Sequence, residues 1–232
     1  MKKIALGIAL IVGLFQAAIA GADQKSYVWT YEYQTLPKGG VEVEYWLTMK
    51  TKDTHQEGDT DYQHQIELEY GITDKWDIAL YQKFGQEGSD SLKYEGFKVE
   101  TRYRLGERGK YFVDPLLYLE FASNVGERET LEGKLILAKD IGKLNIAYNQ
   151  IAEVELGEGK VEHEYAVGAS YLVHHSLRVG IEGKGSYTER EHAIGPTLSW
   201  NSGRFWAALG AAFGLNERTD DRQVRLIVGI PF

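Results

Sequence analysis

Hydrophobic and polar residues alternate one by one along most of the chain, from about residue 40 to its end. Near residue 40, Val41 and Val43 alternate with Glu42 and Glu44, and similar runs recur up to the final residues 224–232. A period of two is that of a β-strand, because successive side chains of a strand point to opposite faces. The pattern therefore predicts an all-β fold.

The number and length of the alternating segments indicate the architecture. Thirteen segments start near residues 26, 40, 62, 75, 93, 111, 129, 143, 160, 176, 190, 203 and 222. Most run for about 10–13 residues, longer than the strands of globular sheets and close to a tilted membrane crossing. Bacterial barrels have an even number of strands. We therefore predict a membrane-spanning antiparallel up-and-down β-barrel of twelve strands over residues 38–232, with fourteen strands as the competing count.

Alternation does not say which face of each strand points inward. In a soluble sandwich or a lipocalin-like barrel the apolar face would form the core, whereas in a membrane barrel it would face lipid. Three features favour the membrane barrel: the strand length, connections that alternate between short and longer, and aromatic residues near the segment ends. These aromatic residues, expected in the headgroup girdles, are Trp46, Tyr70, Trp76, Tyr103, Tyr111, Tyr171, Trp200 and Phe205.

The first twenty residues have the pattern of an export signal. Lys2 and Lys3 precede an apolar run over residues 4–15, and Ala18-Ile19-Ala20 forms a small-residue cleavage pattern. The apolar run is too short to cross a bilayer as a helix. We therefore expect residues 1–20 to be a cleaved signal peptide.

The signal pattern, the alternating strands and a last strand from Val224 to Phe232 that ends in phenylalanine resemble Gram-negative outer-membrane β-barrel proteins. The resemblance implies an outer-membrane location, contact with outer-membrane lipids and lipopolysaccharide, and Phe232 as part of a signal read by the barrel-assembly machinery. The stretches 35–39 (TLPKG) and 71–77 (GITDKWD) are similar to the small barrels of the phenol-degradation (MetA-pathway) or transporter-like kind.

Residues 21–37 stand apart from the twelve predicted strands. Four aromatic residues alternate there: Tyr27, Trp29, Tyr31 and Tyr33. Since exposed aromatic residues are a liability in water, this segment is expected either to lie along the periplasmic rim or to enter the lumen as a plug. Small residues on the predicted inner face of the late strands, such as Gly210, would leave room for a plug.

The polar face of the strands is rich in charge. The predicted lumen-lining residues are Glu67, Glu69, Glu100, Arg102, Arg104, Glu120, Lys134, Glu162, Glu164, Arg178, Glu182, Lys184 and Arg225. They are expected to form a network of ion pairs, a pathway for solutes, or both. The chain has 34 acidic and 26 basic residues and a net charge of −8, which argues against nucleic acid as a partner and favours cations over anions in the lumen.

Little in the sequence indicates catalysis. The absence of cysteine excludes a thiolate nucleophile or thiolate metal site, and His64, His163 and His192 are too scattered for a metal site. A His-x-Ser spacing at His174 and Ser176 falls in a predicted short turn without an acid to orient it. We predict no enzyme activity, no metal and no cofactor. The expected function is a narrow channel or transporter for an unidentified small solute. The alternatives are a non-conducting structural or interaction barrel and, less favoured, an outer-membrane lipid hydrolase.

Overall fold

The computed structural model describes residues 24–56 and 59–232. The predicted signal peptide, residues 1–20, lies outside the described residues. Within the described ranges, no helix is long and apolar enough to cross a membrane.

Twelve strands account for most of the described chain. They are β1 (Val41–Thr51), β2 (Thr60–Thr73), β3 (Trp76–Glu87), β4 (Lys93–Arg104), β5 (Asp114–Asn124), β6 (Thr130–Ile141), β7 (Leu144–Glu155), β8 (Val161–His174), β9 (Leu177–Ser186), β10 (Glu191–Asn201), β11 (Trp206–Gly214) and β12 (Arg222–Pro231).

The strands form one closed antiparallel barrel in which each strand pairs with its neighbours in sequence. Closure is made by β1 and β12, whose register pairs Glu42 with Pro231 and Thr51 with Arg222. The predicted all-β, up-and-down barrel of twelve strands is confirmed, and the competing count of fourteen is wrong. Closure pairs the edges of the sheet, so that no strand of the barrel is left with an open edge.

The two faces of the strands settle the question that alternation left open. Leu68 and Leu80 face outward and are 51% and 44% exposed, whereas Glu67 and Glu69, on the alternate positions, are completely buried. An exterior of this kind is stable only against lipid. The barrel therefore spans a membrane, and the soluble sandwich or lipocalin-like alternative is excluded.

One predicted girdle residue lies on the other face. Trp46 points into the lumen, where it is 5% exposed and its Nε1–H donates to Glu67 at 3.0 Å. The girdle prediction is wrong for Trp46, because the residue has the same parity as Glu42 and Glu44 and must share their face. The other seven girdle residues are not buried; Tyr70, Trp76 and Trp200, for example, are 41–48% exposed.

The two ends of the barrel differ in their connections. The end that holds Val41 and Phe232 is taken as periplasmic, because β1 begins there and β12 ends there. It has the two-residue turns 74–75, 142–143 and 175–176. The other end has longer loops, including 52–59 and 215–221. The periplasmic connection 105–113 is an exception to this pattern, and it contacts residues 24–40.

Candidate functional site

Residues 24–40, here called the inner segment, precede β1 and lie within the barrel rather than in its wall. Gln24 and Lys25 contact the periplasmic half of β10 and β1 through Ser199 and Glu44. The segment then reaches the middle of the lumen at residues 28–30 and returns to the periplasmic rim near Leu36. Tyr27, Val28, Tyr33 and Leu36 are all 1–2% exposed, so that this segment fills the periplasmic half of the lumen.

The turning point of the inner segment is held by a single carboxylate. Glu182 of β9 accepts hydrogen bonds from three consecutive backbone N–H groups, those of Val28, Trp29 and Thr30, at 2.8, 2.9 and 2.8 Å. Arg225 of β12 donates from Nη1 to the Val28 carbonyl at 3.0 Å. Only the last two residues of the segment pair with the wall through their backbone: the Gly39 N–H donates to the Gly71 carbonyl at 2.8 Å, and the Gly40 carbonyl accepts from the Gly71 N–H at 3.0 Å. Around the turning point, side chains of the wall bind the backbone of the segment instead.

Two asparagines of β7 bind the segment on either side of this turn. The Tyr27 hydroxyl donates to Asn145 Oδ1 at 3.0 Å and to its carbonyl at 2.9 Å. Asn149 accepts from the Tyr31 N–H at 2.6 Å and donates to the Tyr31 carbonyl at 2.9 Å. A side-chain amide that pairs with both backbone groups of one residue replaces the bonds that a neighbouring strand would supply.

The periplasmic connection 105–113 holds the returning part of the segment. The Tyr33 hydroxyl donates to the Gly106 carbonyl at 2.6 Å, and Arg108 donates from Nη2 to the Tyr33 carbonyl at 2.6 Å. Nearby, the Leu36 N–H donates to Asp77 Oδ2 at 2.9 Å. The connection 105–113 and the start of β3 thus bind the inner segment at the periplasmic rim.

Small residues of the late strands make room for the segment. A Cβ atom at Gly210 would lie 2.4 Å from Val28 Cγ2, and one at Gly168 would lie 2.5 Å from the Tyr27 ring. Ala208 and Ala212 belong to the same buried apolar cluster as Val28 and Trp29. This is the small-residue wall that the sequence indicated.

The wall of β1 and β2 is acidic where it meets the start of the inner segment. Lys25 donates to both carboxylate oxygens of Glu44 at 2.7 and 2.5 Å and lies 3.8 Å from Glu67. The Lys25 ammonium also lies 4.6 Å from the centre of the Trp46 ring. A buried carboxylate is costly without a counter-charge, so the inner segment supplies a cation that this wall requires.

A second ionic cluster lies beside it on β2, β3 and β4. Arg102 donates to Glu69, and it donates to the two oxygens of Asp77 from Nε at 3.1 Å and from Nη2 at 2.8 Å. Arg102 Nε also lies 3.4 Å from Glu100. Arg102 is 3% exposed, and its planar guanidinium serves three carboxylates at once.

A row of glutamates runs from the periplasmic half of the barrel into its external half. Strand register places Glu100, Glu120, Glu132, Glu153 and Glu162 opposite one another on five neighbouring strands, β4 to β8. Lysines interrupt the row: Lys98 lies 2.8 Å from Glu120, Lys134 2.9 Å from Glu132 and Lys160 2.8 Å from Glu162.

A cavity of about 210 Å³ lies between the inner segment and the external loops. Trp29 lines it from the inner segment and Thr219 from the loop 215–221. Its charged lining includes Lys184, Arg225 and Glu164. We call it the Trp29 cavity.

The predicted lumen-lining residues lie on inward-facing positions of their strands. The periplasmic half contains Glu67, Glu69, Glu100, Arg102, Arg104 and Arg178, and the external half contains Glu120, Lys134, Glu162, Glu164, Lys184 and Arg225, with Glu182 between them. Arg104 is at the rim, 5.5 Å from the Tyr33 ring, and Arg178 donates to Ser170 at 3.3 Å.

Several residues of the site were not among these predictions. Lys25, Asn145, Asn149 and Arg108 each bind the inner segment or connect it to the wall. For Asn145 and Asn149 a signal was present, because both are polar residues on the face of β7 that points inward. Nothing in the alternation pattern marks Lys25 or Arg108, which lie outside the strands.

Two groups of side chains approach the geometry of a metal site. Glu44, Glu67 and Glu69 lie close together, but Lys25 and Arg102 already bind them. Asp53, His55 and Asp221 meet on the external loops, where backbone N–H groups donate to Asp53 and to Asp221 at 2.8 Å. In each group the carboxylates are thus already engaged by donors of the protein.

The His-x-Ser pair does not form a triad in the described part of the chain. His174 Nδ1 lies 3.2 Å from Ser176 Oγ. His174 ends β8, and Ser176 lies in the exposed periplasmic turn that follows. A hydrolytic triad needs a third group that orients the histidine. Among the described residues, no carboxylate lies within 4.0 Å of His174 as an ion-pair partner.

Comparison with known proteins defines the fold but no family. The sequence matches no known family and no curated protein. An outer membrane channel from Pseudomonas putida F1 is similar in structure, with a TM-score of 0.67, 14% identity, and coverage of 89% of this chain and all of that one. The KdgM porin gives a TM-score of 0.61 at 12% identity, over 82% of this chain and 98% of that one.

An outer membrane phospholipase A from Escherichia coli is less similar, with a TM-score of 0.50 at 12% identity over 92% of this chain and 95% of that one. Together with the apolar exterior, these likenesses confirm the predicted Gram-negative outer-membrane barrel at the level of the fold, and with it the outer membrane as its location.

Proposed function

We propose that this protein is a narrow outer-membrane channel for small solutes, and that the inner segment plugs its periplasmic half. The observation that carries this proposal is the separate attachment of the segment: wall side chains hold residues 24–38 in the lumen, and backbone pairing with β2 begins only at residues 39 and 40. Such a segment can leave without opening the barrel. The proposal also includes contact of the exterior with lipid and lipopolysaccharide, and recognition of Phe232 by the barrel-assembly machinery.

The similar structures support a channel in general terms. The Pseudomonas putida protein is described as an outer membrane channel, and the KdgM structure as a porin in complex with disordered oligogalacturonate. A twelve-stranded barrel is wider than the eight-stranded barrels that side chains fill, and narrower than the sixteen-stranded porins. A barrel of this size leaves room either for a narrow pathway or for a plug.

Single-channel recording in planar bilayers tests the plug. We expect deletion of residues 22–36 to raise the conductance well above that of the full chain, because the periplasmic half of the lumen loses its filling. Glu162→Gln is the matched control, since Glu162 lies in the wall and is bonded to Lys160 rather than to the inner segment. Unchanged conductance in the deletion variant would count against the plug. If neither protein conducts, the non-conducting structural barrel is the better interpretation.

The ion selectivity of the deletion variant is a separate prediction. Removal of Lys25 leaves Glu44 and Glu67 without the cation that now binds them. We therefore expect the opened pore to prefer cations, as measured by the reversal potential in a gradient of potassium chloride. A reversal potential whose sign indicates a preference for anions would contradict this expectation.

A further inference from the structure

The Trp29 cavity contains hydrogen-bond donors that the protein itself does not use. Trp29 is 8% exposed and lines the cavity, yet its Nε1–H has no hydrogen-bond acceptor. That nitrogen has no surface open to water, so the donors that a ligand in the cavity can reach are those of Lys184 and Arg225.

Two cations flank the indole ring of Trp29. The Lys184 ammonium lies 5.6 Å from the ring centre, and the Arg225 guanidinium carbon lies 5.7 Å from it. Among the described residues, neither cation has a carboxylate oxygen within 4.0 Å. Lys184 uses one of its three donors, to Gln223 at 2.7 Å.

Arg225 is fixed by two hydrogen bonds and still has N–H donors without an acceptor. Its Nε donates to Thr48 Oγ1 at 2.9 Å and its Nη1 to the Val28 carbonyl at 3.0 Å. The Trp46 ring lies on another side of the guanidinium, 5.5 Å from its central carbon. Within the described chain, no acceptor is bonded to Nη2, so a fixed guanidinium presents one nitrogen for a further partner.

The cavity also contains acidic residues, and its total charge does not select an anion. Glu132, Glu164 and Glu191 line it together with Lys134, Lys184 and Arg225. Glu132 is paired with Lys134 at 2.9 Å. Glu164 lies diagonal to Lys184, because Ser186 is its partner in the register. We call the side of the cavity where Lys184 and Arg225 flank Trp29 its floor. The floor is therefore distinguished by unused hydrogen-bond donors and not by an excess of positive charge.

We infer that the floor of the Trp29 cavity binds the carboxylate group of a small organic solute through Lys184 and Arg225. A carboxylate has two oxygens and accepts charge-assisted bonds from such cations. The aromatic face of Trp29 supplies apolar contact for the carbon skeleton. This inference deepens the proposed channel function, because it names a solute class and a binding position on the external side of the plug.

The test is equilibrium binding to the full folded chain in detergent micelles, measured by titration calorimetry. Glucuronate, glucose and glucosamine serve as probes, since they share a sugar ring and differ in charge. We expect glucuronate to bind at least tenfold more tightly than glucose or glucosamine. Equal binding of glucose, or no binding of glucuronate, would overturn the inference.

Three substitutions locate the binding position. We expect Lys184→Gln to weaken glucuronate binding at least fivefold, and Lys143→Gln, in an exposed periplasmic turn, to leave it unchanged. Glu164→Gln should tighten it twofold or more, because it removes a carboxylate close to Lys184. If Lys184→Gln has no effect, the inferred position is wrong.

Binding and conduction are measured separately, and their failures can be told apart. A protein that binds glucuronate but does not conduct after deletion of residues 22–36 would refute the channel and retain the carboxylate site. A protein that conducts but binds none of the three probes would refute the carboxylate site alone.

Discussion

Glu182 is the residue on which the docking of the inner segment depends most directly. Its carboxylate accepts the N–H groups of Val28, Trp29 and Thr30, and its burial is almost complete at 1% exposure. The substitution Glu182→Gln keeps the size of the side chain. It removes the charge and points an N–H group at donors that need an acceptor.

The magnitude follows from the three bonds. A hydrogen bond to a charged group contributes about 1.5–3 kcal/mol and one between neutral groups about 0.5–1.5 kcal/mol. Glutamine retains one acceptor oxygen, so at least one of the three bonds is lost and the others become neutral. The desolvation cost of the buried carboxylate disappears and offsets part of this loss. We expect the docked segment to lose about 2–3 kcal/mol, which corresponds to roughly 30- to 150-fold more frequent local opening.

Hydrogen exchange measures this opening directly, because a buried amide exchanges when the segment undocks. In the Glu182→Gln variant, the amides of Val28, Trp29 and Thr30 should exchange roughly 30- to 150-fold faster than in the unsubstituted protein, while amides of the barrel strands keep their rates. Glu162→Gln serves as the control for loss of a lumen carboxylate. If the three amides exchange at the same rate in both variants, the carboxylate does not hold the segment.

Three further predictions concern other parts of the molecule. Gly210→Leu should displace the turn of the inner segment, because even a Cβ atom there would lie 2.4 Å from Val28 Cγ2; faster amide exchange at Val28 would show it, and protection at the original level would contradict it. Leu80→Lys should destabilise the barrel by about 2–4 kcal/mol in urea unfolding from lipid bilayers, because it places a charge against lipid, and a loss below about 0.5 kcal/mol would argue against the lipid-facing assignment. The loop 52–59 should become sensitive to protease as the pH falls below about 4, since the Thr54 backbone N–H and hydroxyl hold the pKa of Asp221 below its usual value. A depressed folded-state pKa stabilises the loop contact above the unfolded pKa and loses that effect on protonation. Asp221→Asn should be equally sensitive at neutral pH, and a protease pattern independent of pH would be the contrary result.

The strands and the direction of their faces could be predicted from the sequence with little error. Alternation such as that of Glu67, Leu68 and Glu69 is a local property, and a period of two assigns each residue to one of two faces. The length of the strands and the even strand count then favoured a membrane barrel of twelve strands and left fourteen as the competing count. Trp46 shows the limit of residue type as a guide, since its parity placed it inside although tryptophan is common in the girdles.

The position of residues 24–40 was decided only by the tertiary structure. The sequence showed four aromatic residues before the barrel and left two placements open, at the rim or in the lumen. The contacts of Glu182, Asn149 and Arg108 with the segment join residues that lie more than 70 positions apart in the chain.

The unused donors of the Trp29 cavity could not be predicted from the sequence pattern, for the same reason. Alternation predicted that Lys184 and Arg225 line the lumen, but it cannot say which charges are paired, because pairing depends on strand register and on the segment inside the barrel. Local side-chain periodicity thus determined the wall of this protein. The contents of its lumen were determined by distances across the barrel, which a one-dimensional pattern does not contain.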